Sequence, residues 1–502
     1  MVGGVTLDPR RPKPAIRVER TPARLLTGSL GRRLEETRPV TLGQTLAALS
    51  HALDVSEGQH HEHAIRSAVI GLRIGRQLGL PEAQLTDLYH AHLLKDLGAS
   101  ANSAQLYHLF GRDDARLRRA LRRMDMERLR GGGTLMLSQL VGAVKGPWRL
   151  RYLLDLGLGR FDIVASLATT HAERGARLAA EMKLGAGVSE AIGTAAERFD
   201  GSGAPHGLSG DAIPLGGRIL ALSQAVTQHY ADGAQAGALA LARRHSGTWF
   251  DPDIVDAFEQ PRVSGDLVDA LRHDQVWHQL TQLEPLEQPF SVEDERLDRI
   301  ATVLGNVIDA KSPWTRRHTT RVRELALGML SQVDESGDMD ARRRALSRGA
   351  ALHDVGTLGV SNAVLDKSGT LDVAETEVIR RHTAYGEHIL SWADAYSEVV
   401  PLAAGHHERL DGRGYHGSVP ANLLPFDVRL LAVADQFEAL TASRPHRDPF
   451  SSNEALAILA AEAGSGIDDE ALEALERFLS TPAAGPLLAP AKFDPEELVV
   501  IA

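Results

Sequence analysis

The chain is expected to be all-α, built as two tandem helical bundles. Three observations predict this. Apolar residues recur at helical spacing almost throughout, as in Ala64-Ile65-Ala68-Val69-Leu72 and Val322-Leu325-Ala326-Met329, a spacing that turns one stripe of a helix toward a core. Alternating strand patterns are scarce, which argues against the sheet classes. The second half of the chain also repeats the first, match for match in the same order.

The repeat can be followed along the chain. Asp54 precedes His63 by nine residues, as Asp309 precedes His318. Leu93-Leu94-Lys95-Asp96-Leu97-Gly98 parallels Ala351-Leu352-His353-Asp354-Val355-Gly356, and His171-Ala172-Glu173-Arg174-Gly175 parallels His382-Thr383-Ala384-Tyr385-Gly386. Glu197-Arg198-Phe199-Asp200-Gly201-Ser202-Gly203 parallels Glu408-Arg409-Leu410-Asp411-Gly412-Arg413-Gly414. Pro214 to Leu220 parallels Pro425 to Leu431. The domain map that follows is a basic flexible tail over 1–40, a first copy over 41–261, a connector over 262–289, a second copy over 290–480 and a tail over 481–502. The first copy carries an insertion, with 75 positions from Asp96 to His171 against 28 from Asp354 to His382. Inside it, Arg112 to Arg130 mixes arginines with acids and reads as a solvated helix face ahead of Gly131-Gly132-Gly133.

Composition narrows the chemistry. The 502 residues suffice for two cores. A net charge of −11 argues against a nucleic-acid polymer as partner and confines phosphate recognition to local patches. There is no cysteine, so any metal is held by nitrogen and oxygen, and a reducing, cytoplasmic setting is expected. No apolar run is long enough to cross a membrane, and the Arg- and Pro-rich start lacks the apolar core of a signal peptide.

The copies differ where chemistry would sit. His353 faces Lys95 in the alignment, His406 and His407 face Ala195 and Ala196, and Asp435 faces Gln224. A cationic lysine and a donor-free alanine do not suit a metal. The first copy is therefore expected to keep the scaffold alone, with His63, Asp96 and His171 as structural residues. In the second, Ser312-Pro313 reads as the cap and first position of the helix that carries His318. His353-Asp354 ends the next helical run before Gly356. His406 and His407 can both reach one centre only at a helix end or bend, which the following glycines supply. With His382 and Asp435 these form a set able to hold two divalent cations. Two cations there would lower the pKa of a bridging water and screen a phosphodiester.

Three stretches of the second copy resemble the HD-GYP family, the helical branch of the HD phosphohydrolase superfamily. They are His353-Asp354-Val355-Gly356, His406-His407-Glu408-Arg409-Leu410-Asp411-Gly412-Arg413-Gly414-Tyr415, and Val433 to Pro445 with its Asp435. The resemblance implies a bundle of α-helices and metal-dependent hydrolysis of cyclic di-GMP to pGpG or GMP, with iron or manganese as the metals. It implies His353, Asp354, His382, His406, His407 and Asp435 as ligands, Asp354 as their bridge, and His318 as a further ligand. His353 and Asp354 are thereby the catalytic pair, and Tyr415, Arg444, Arg447 and Asp411 the substrate contacts. The chain departs from the family at His416 in place of proline, Thr357 in place of lysine, and Trp314 in place of a glutamate tied to a third metal, so a two-metal site is expected. Two alternatives stand beside this reading: hydrolysis of another cyclic dinucleotide or nucleotide, and binding of a cyclic dinucleotide or signalling partner without turnover. The expected assembly is a homodimer or an intramolecular pairing of the two copies.

Overall fold

The helical period seen in the sequence becomes a succession of short helices, none of which buries its apolar stripe alone. The structure is a computed structural model that describes residues 41–59, 62–110, 163–231, 235–285, 295–333, 339–417 and 419–488. Among these residues only isolated β-bridges interrupt the helices. The fold is all-α. The basic tail over 1–40, the Arg-rich run over 112–130 and residues 489–502 lie outside the described residues.

The first half comprises α1 (Leu42–Ser56), α2 (His63–Gln77), α3 (Glu82–Leu94), α4 (Ser100–Phe110), α5 (Ile163–Met182), α6 (Ala186–Thr194), α7 (Leu215–Ala231), α8 (Gln235–Arg244) and α9 (Pro252–Glu259). Three short helices follow: α10 (Pro261–Ser264), α11 (Leu267–Ala270) and α12 (Val276–Leu283). Helix α2 lies at the centre, packed against α3, α7 and α12. The stretch expected as a connector is thus built into the first half through Leu283. Val276 and Leu280 are buried there, and Arg76 donates to the Leu283 carbonyl at 3.0 Å. The Glu/Gln/Pro composition that reads as a linker is confined to the end of this segment, and the apolar spacing before it prevails.

The second half comprises α13 (Glu295–Asp309), α14 (His318–Leu330), α15 (Met339–Leu352), α16 (Asn362–Leu365), α17 (Val373–Arg380), α18 (His382–Leu390), α19 (Val400–Gly405), α20 (Phe426–Thr441), α21 (Ser452–Ala460), α22 (Asp469–Leu479) and α23 (Gly485–Leu488). Helix α14 packs against α15, α20 and α22. The expected C-terminal tail begins as structure. Leu487 is buried and its carbonyl accepts from Arg321 at 3.1 Å, so residues 481–488 close the bundle.

The two halves share local devices. Asp54 accepts the Ala64 N–H at 3.1 Å, and Asp309 accepts the Thr319 N–H at 3.0 Å. Glu197 accepts from the backbone of His206 and Leu208, and Glu408 from that of Gly417 and Val419. They also exchange helices. Helix α1 of the first half packs on the second half's α18 and on the 3-10 turn Val355–Gly359, while α13 of the second half packs on α4 and α5 of the first. One apolar cluster runs through both, from Leu49 and Leu53 to Val307, Leu352 and Tyr396. Each such buried side chain contributes about 1.5–3 kcal/mol, so the halves stabilise one another through a shared interior.

Candidate metal centre

Helix ends bring the histidines together. His318 is the first residue of α14, following Arg317 in the left-handed conformation at φ 60°. Ser312 does cap a proline-led turn, but that turn is the separate 3-10 segment Pro313–Thr315. The helix carrying His318 starts afresh, and the expectation that Ser312 opens it is corrected. The left-handed Arg317 breaks the continuity that sequence spacing implied.

His353 and Asp354 follow the last turn of α15 and lead into the turn Val355–Gly359. This turn lies on the start of α18, where His382 stands. A Cβ on Gly356 would sit 1.9 Å from the His382 carbonyl oxygen, so only glycine permits the approach. Gly98 plays the same part against the His171 carbonyl, at 2.0 Å. His406 and His407 follow the end of α19, and Asp435 projects from the middle of α20. All seven residues expected as ligands converge.

The protonation pattern of the cluster is set by the backbone. His353, His382 and His406 each place Nδ1 on a carbonyl three residues back, at 2.9 Å to Ala350, 2.7 Å to Ile379 and 3.0 Å to Ala403. A carbonyl only accepts, so Nδ1 carries the hydrogen and Nε2 presents a lone pair. Those lone pairs face inward. The Nε2 atoms of His382 and His406 lie 3.1 Å apart, and Nε2 of His353 is buried without a hydrogen-bond partner. Buried lone pairs aimed at one another are unfavourable unless a cation lies between them. The residues therefore fit divalent metal.

The carboxylates complete the set. One Asp354 oxygen is 3.3 Å from His382 Nε2 and 3.8 Å from His406 Nε2; the other is 3.5 Å from His318 Nε2 and 3.7 Å from His353 Nε2. Its two oxygens thus serve two different pairs of imidazoles. Asp435 reaches His318 at 3.3 Å and His353 at 3.9 Å. Three overlapping triads each bring their ligand atoms within 4.8 Å: His382, His406 and His407; His318, His353 and Asp435; His353, Asp354 and His406. Burial, reinforced by neighbouring histidines, holds His406 well below the ordinary imidazole value, and burial pulls His407 down to about 4. Both are therefore neutral, as a nitrogen ligand must be.

Sequence reasoning missed Glu438. It lies one helical turn past Asp435 on the same face of α20, a spacing that could have revealed it. Its carboxylate takes His318 Nδ1 at 2.6 Å and is itself met by Arg321 at 3.6 Å and Arg444 at 3.2 Å. Such a carboxylate fixes the orientation of the imidazole, the part an outer carboxylate plays for a histidine that meets a metal.

The expected substrate contacts fall in different places. The Tyr415 ring stacks on His407, with centroids 4.7 Å apart at 27°. Arg444 reaches the cluster only through Glu438. Arg447 is committed to the backbone carbonyls of Ala439, Leu440 and Asp448. Asp411 is held by Arg409 and by the Arg413 N–H, within its own loop. His416, where the family has proline, stands at φ 143°, a conformation closed to the proline ring, and its Nε2 is bound to Glu387 of α18.

In the first half Lys95 occupies the place aligned with His353. Its ammonium pairs with Asp96 and lies 4.0 Å from Asp54, and His171 Nε2 donates to the Lys95 carbonyl at 2.8 Å. Glu57, Asp96 and His171 do come within 4.8 Å of one another, but a fixed positive charge already sits on Asp96.

A helical bundle that gathers five imidazoles and two carboxylates around one buried point defines a helical protein with a candidate metal centre. The profile of the HD domain family matches residues 165–254 and 302–471. The chain belongs to that family. It is 35% identical over 446 residues to the 3'3'-cGAMP-specific phosphodiesterase 3 of Vibrio cholerae, covering 88% of this chain and 95% of that one. A crystal structure of a cyclic GMP-AMP-specific phosphodiesterase from V. cholerae is similar in fold, with a TM-score of 0.59 and 32% identity over 88% of this chain and 98% of that one. The cyclic di-GMP phosphodiesterase response regulator RpfG of Xanthomonas campestris is 33% identical over 186 residues, covering 37% of this chain and 48% of that one. No described helix is long and apolar enough to cross a membrane.

Proposed function

We propose that this chain is a metal-dependent phosphodiesterase that opens the ring of a 3'3'-cyclic dinucleotide. The observation that carries this reading is the inward-facing set of Nε2 lone pairs around Asp354, each fixed by a backbone hydrogen bond on Nδ1. His318, His353, Asp354, His382, His406, His407 and Asp435 would hold two divalent cations, iron or manganese. When bound, two such cations supply Lewis acidity toward a phosphodiester and an attacking water. The chain supplies the rest. His353 and His406 are fully buried, which keeps bulk water from the inner face of the site. Glu438 holds His318 in one orientation.

Of the two substrates, 3'3'-cGAMP comes first. Of the three relatives named for it, one matches 88% of this chain, across both halves, and the other two match 47% and 34%, whereas the relatives named for cyclic di-GMP match between 27% and 38%. Cyclic di-GMP, the substrate expected from sequence, is the second reading. The first half is then a degenerate HD copy whose Lys95 replaces metal charge with ammonium charge.

The test is turnover of both cyclic dinucleotides by protein purified anaerobically and supplied with iron or manganese, alongside metal analysis. The control is His353→Ala with Asp354→Ala. Metal-dependent linear product that disappears in the control is the expected result, and the ratio of kcat/KM ranks the substrates. Stoichiometric metal with no turnover of either dinucleotide would overturn the substrate class and leave a phosphohydrolase for other esters or a binding protein.

A further inference from the structure

Resting on the reading above, we propose that Arg380 is the phosphate contact of this site, taking the phosphodiester of the cyclic dinucleotide that is not being cleaved. A cyclic dinucleotide carries two phosphates. The ligand cluster can serve one; the other keeps its negative charge and needs a cation at the mouth. The sequence places no lysine after the His-Asp turn, because Thr357 stands there and spends its hydroxyl on the Asp354 carbonyl at 2.6 Å. The two arginines expected as substrate contacts have partners within the fold, Arg444 in Glu438 and Arg447 in three carbonyls.

Arg380 is placed differently. It ends α17, two residues before His382, and is exposed. Its guanidinium lies over the face of Tyr415, 5.4 Å from the ring centroid, and the Tyr415 ring stacks on His407. The imidazole, the phenol ring and the guanidinium form one column leading outward from the ligand cluster. Three other cations are paired with carboxylates: Lys367 with Glu375, Arg381 with Glu377, and Arg409 with Asp411 and Glu462. Arg380 meets a π face, a contact that uses none of the strong acceptors that would saturate a guanidinium's five N–H donors. A planar fork held in that way suits the two free oxygens of a phosphodiester. A competing role exists, since a basic residue at a helix C-terminus also stabilises the helix dipole. That role predicts a change in thermal stability and none in substrate affinity.

Steady-state kinetics on the manganese-loaded full chain separate these. Arg380→Ala and Arg380→Lys are compared with wild type on 3'3'-cGAMP, on cyclic di-GMP and on bis(p-nitrophenyl) phosphate, which has a single phosphate. Loss of one charge-assisted contact corresponds to about a 10- to 100-fold rise in KM for the cyclic dinucleotide. Arg380→Lys should fall between, keeping charge without the fork. Turnover of bis(p-nitrophenyl) phosphate, metal content and Tm should stay at wild-type values. A KM within twofold of wild type for Arg380→Ala overturns the proposal, whatever happens to kcat. An equal loss on all three substrates also overturns it, by showing that Arg380 acts through Tyr415 or the fold. Wild type that cleaves bis(p-nitrophenyl) phosphate but neither dinucleotide retires the functional reading itself, and this assignment with it.

Discussion

Glu438 is the side chain through which His318 can be tested without touching a ligand. It is buried, bonded to His318 Nδ1, and neutralised by Arg321 and Arg444. Glu438→Gln keeps the shape and removes the charge that orients the imidazole. Metal affinity should fall about 10- to 100-fold, as outer carboxylates of ligating histidines typically contribute that much. Metal titration with Tm as the companion reading checks this. Unchanged affinity would mean that His318 needs no carboxylate to hold it, or is no ligand. The residue was discoverable from the sequence only as the position one turn beyond Asp435. Nothing in the chain announces that α14 will bring His318 there, 120 residues away.

Among the elements, the turn Val355–Gly359 governs the geometry of the site. It can lie against α18 only because residue 356 has no Cβ. Gly356→Ala would force backbone apart and should cost about 1–3 kcal/mol of stability. Gly98→Ala repeats the experiment in the first half, where the clash with the His171 carbonyl is equally close. Both variants should lower Tm. Gly356→Ala alone should also lower metal content and turnover, because Asp354 and His382 stand on the two elements it separates. If Gly98→Ala removes metal as well, the first half holds metal and its reading as a degenerate copy fails.

For the whole chain, the exchange of α1 and α13 predicts that the halves do not separate cleanly. Residues 290–502 produced alone would expose the faces of α18 and of the His-Asp turn that α1 covers. The fragment is expected to aggregate or to hold less than a full complement of metal, measured by light scattering and metal analysis. A monodisperse, fully loaded and fully active fragment would contradict a bracing role for the first half. The Trp277 and Trp392 rings, 5.6 Å apart across the halves, give a fluorescence reporter of the same contact in the intact chain.

The all-α class could be read from the chain, and so could the seven residue types that converge, because helical period and side-chain chemistry are local properties that survive any packing. The intramolecular partners of Arg444, Arg447 and Asp411 could not, since a guanidinium or a carboxylate contacts whatever the fold brings nearest. Folding spent Arg444 on Glu438, Arg447 on the loop backbone and Asp411 on Arg409. The same holds for the segment after Pro261, whose polar end masked apolar positions that bury against α2. Periodicity states which face of a helix is apolar, and only the tertiary arrangement states what covers it. Likewise the spacing of histidines names a possible ligand set. Which nitrogen faces inward was decided by backbone carbonyls three residues away in sequence, positioned by helix ends that no pattern of residue types specifies.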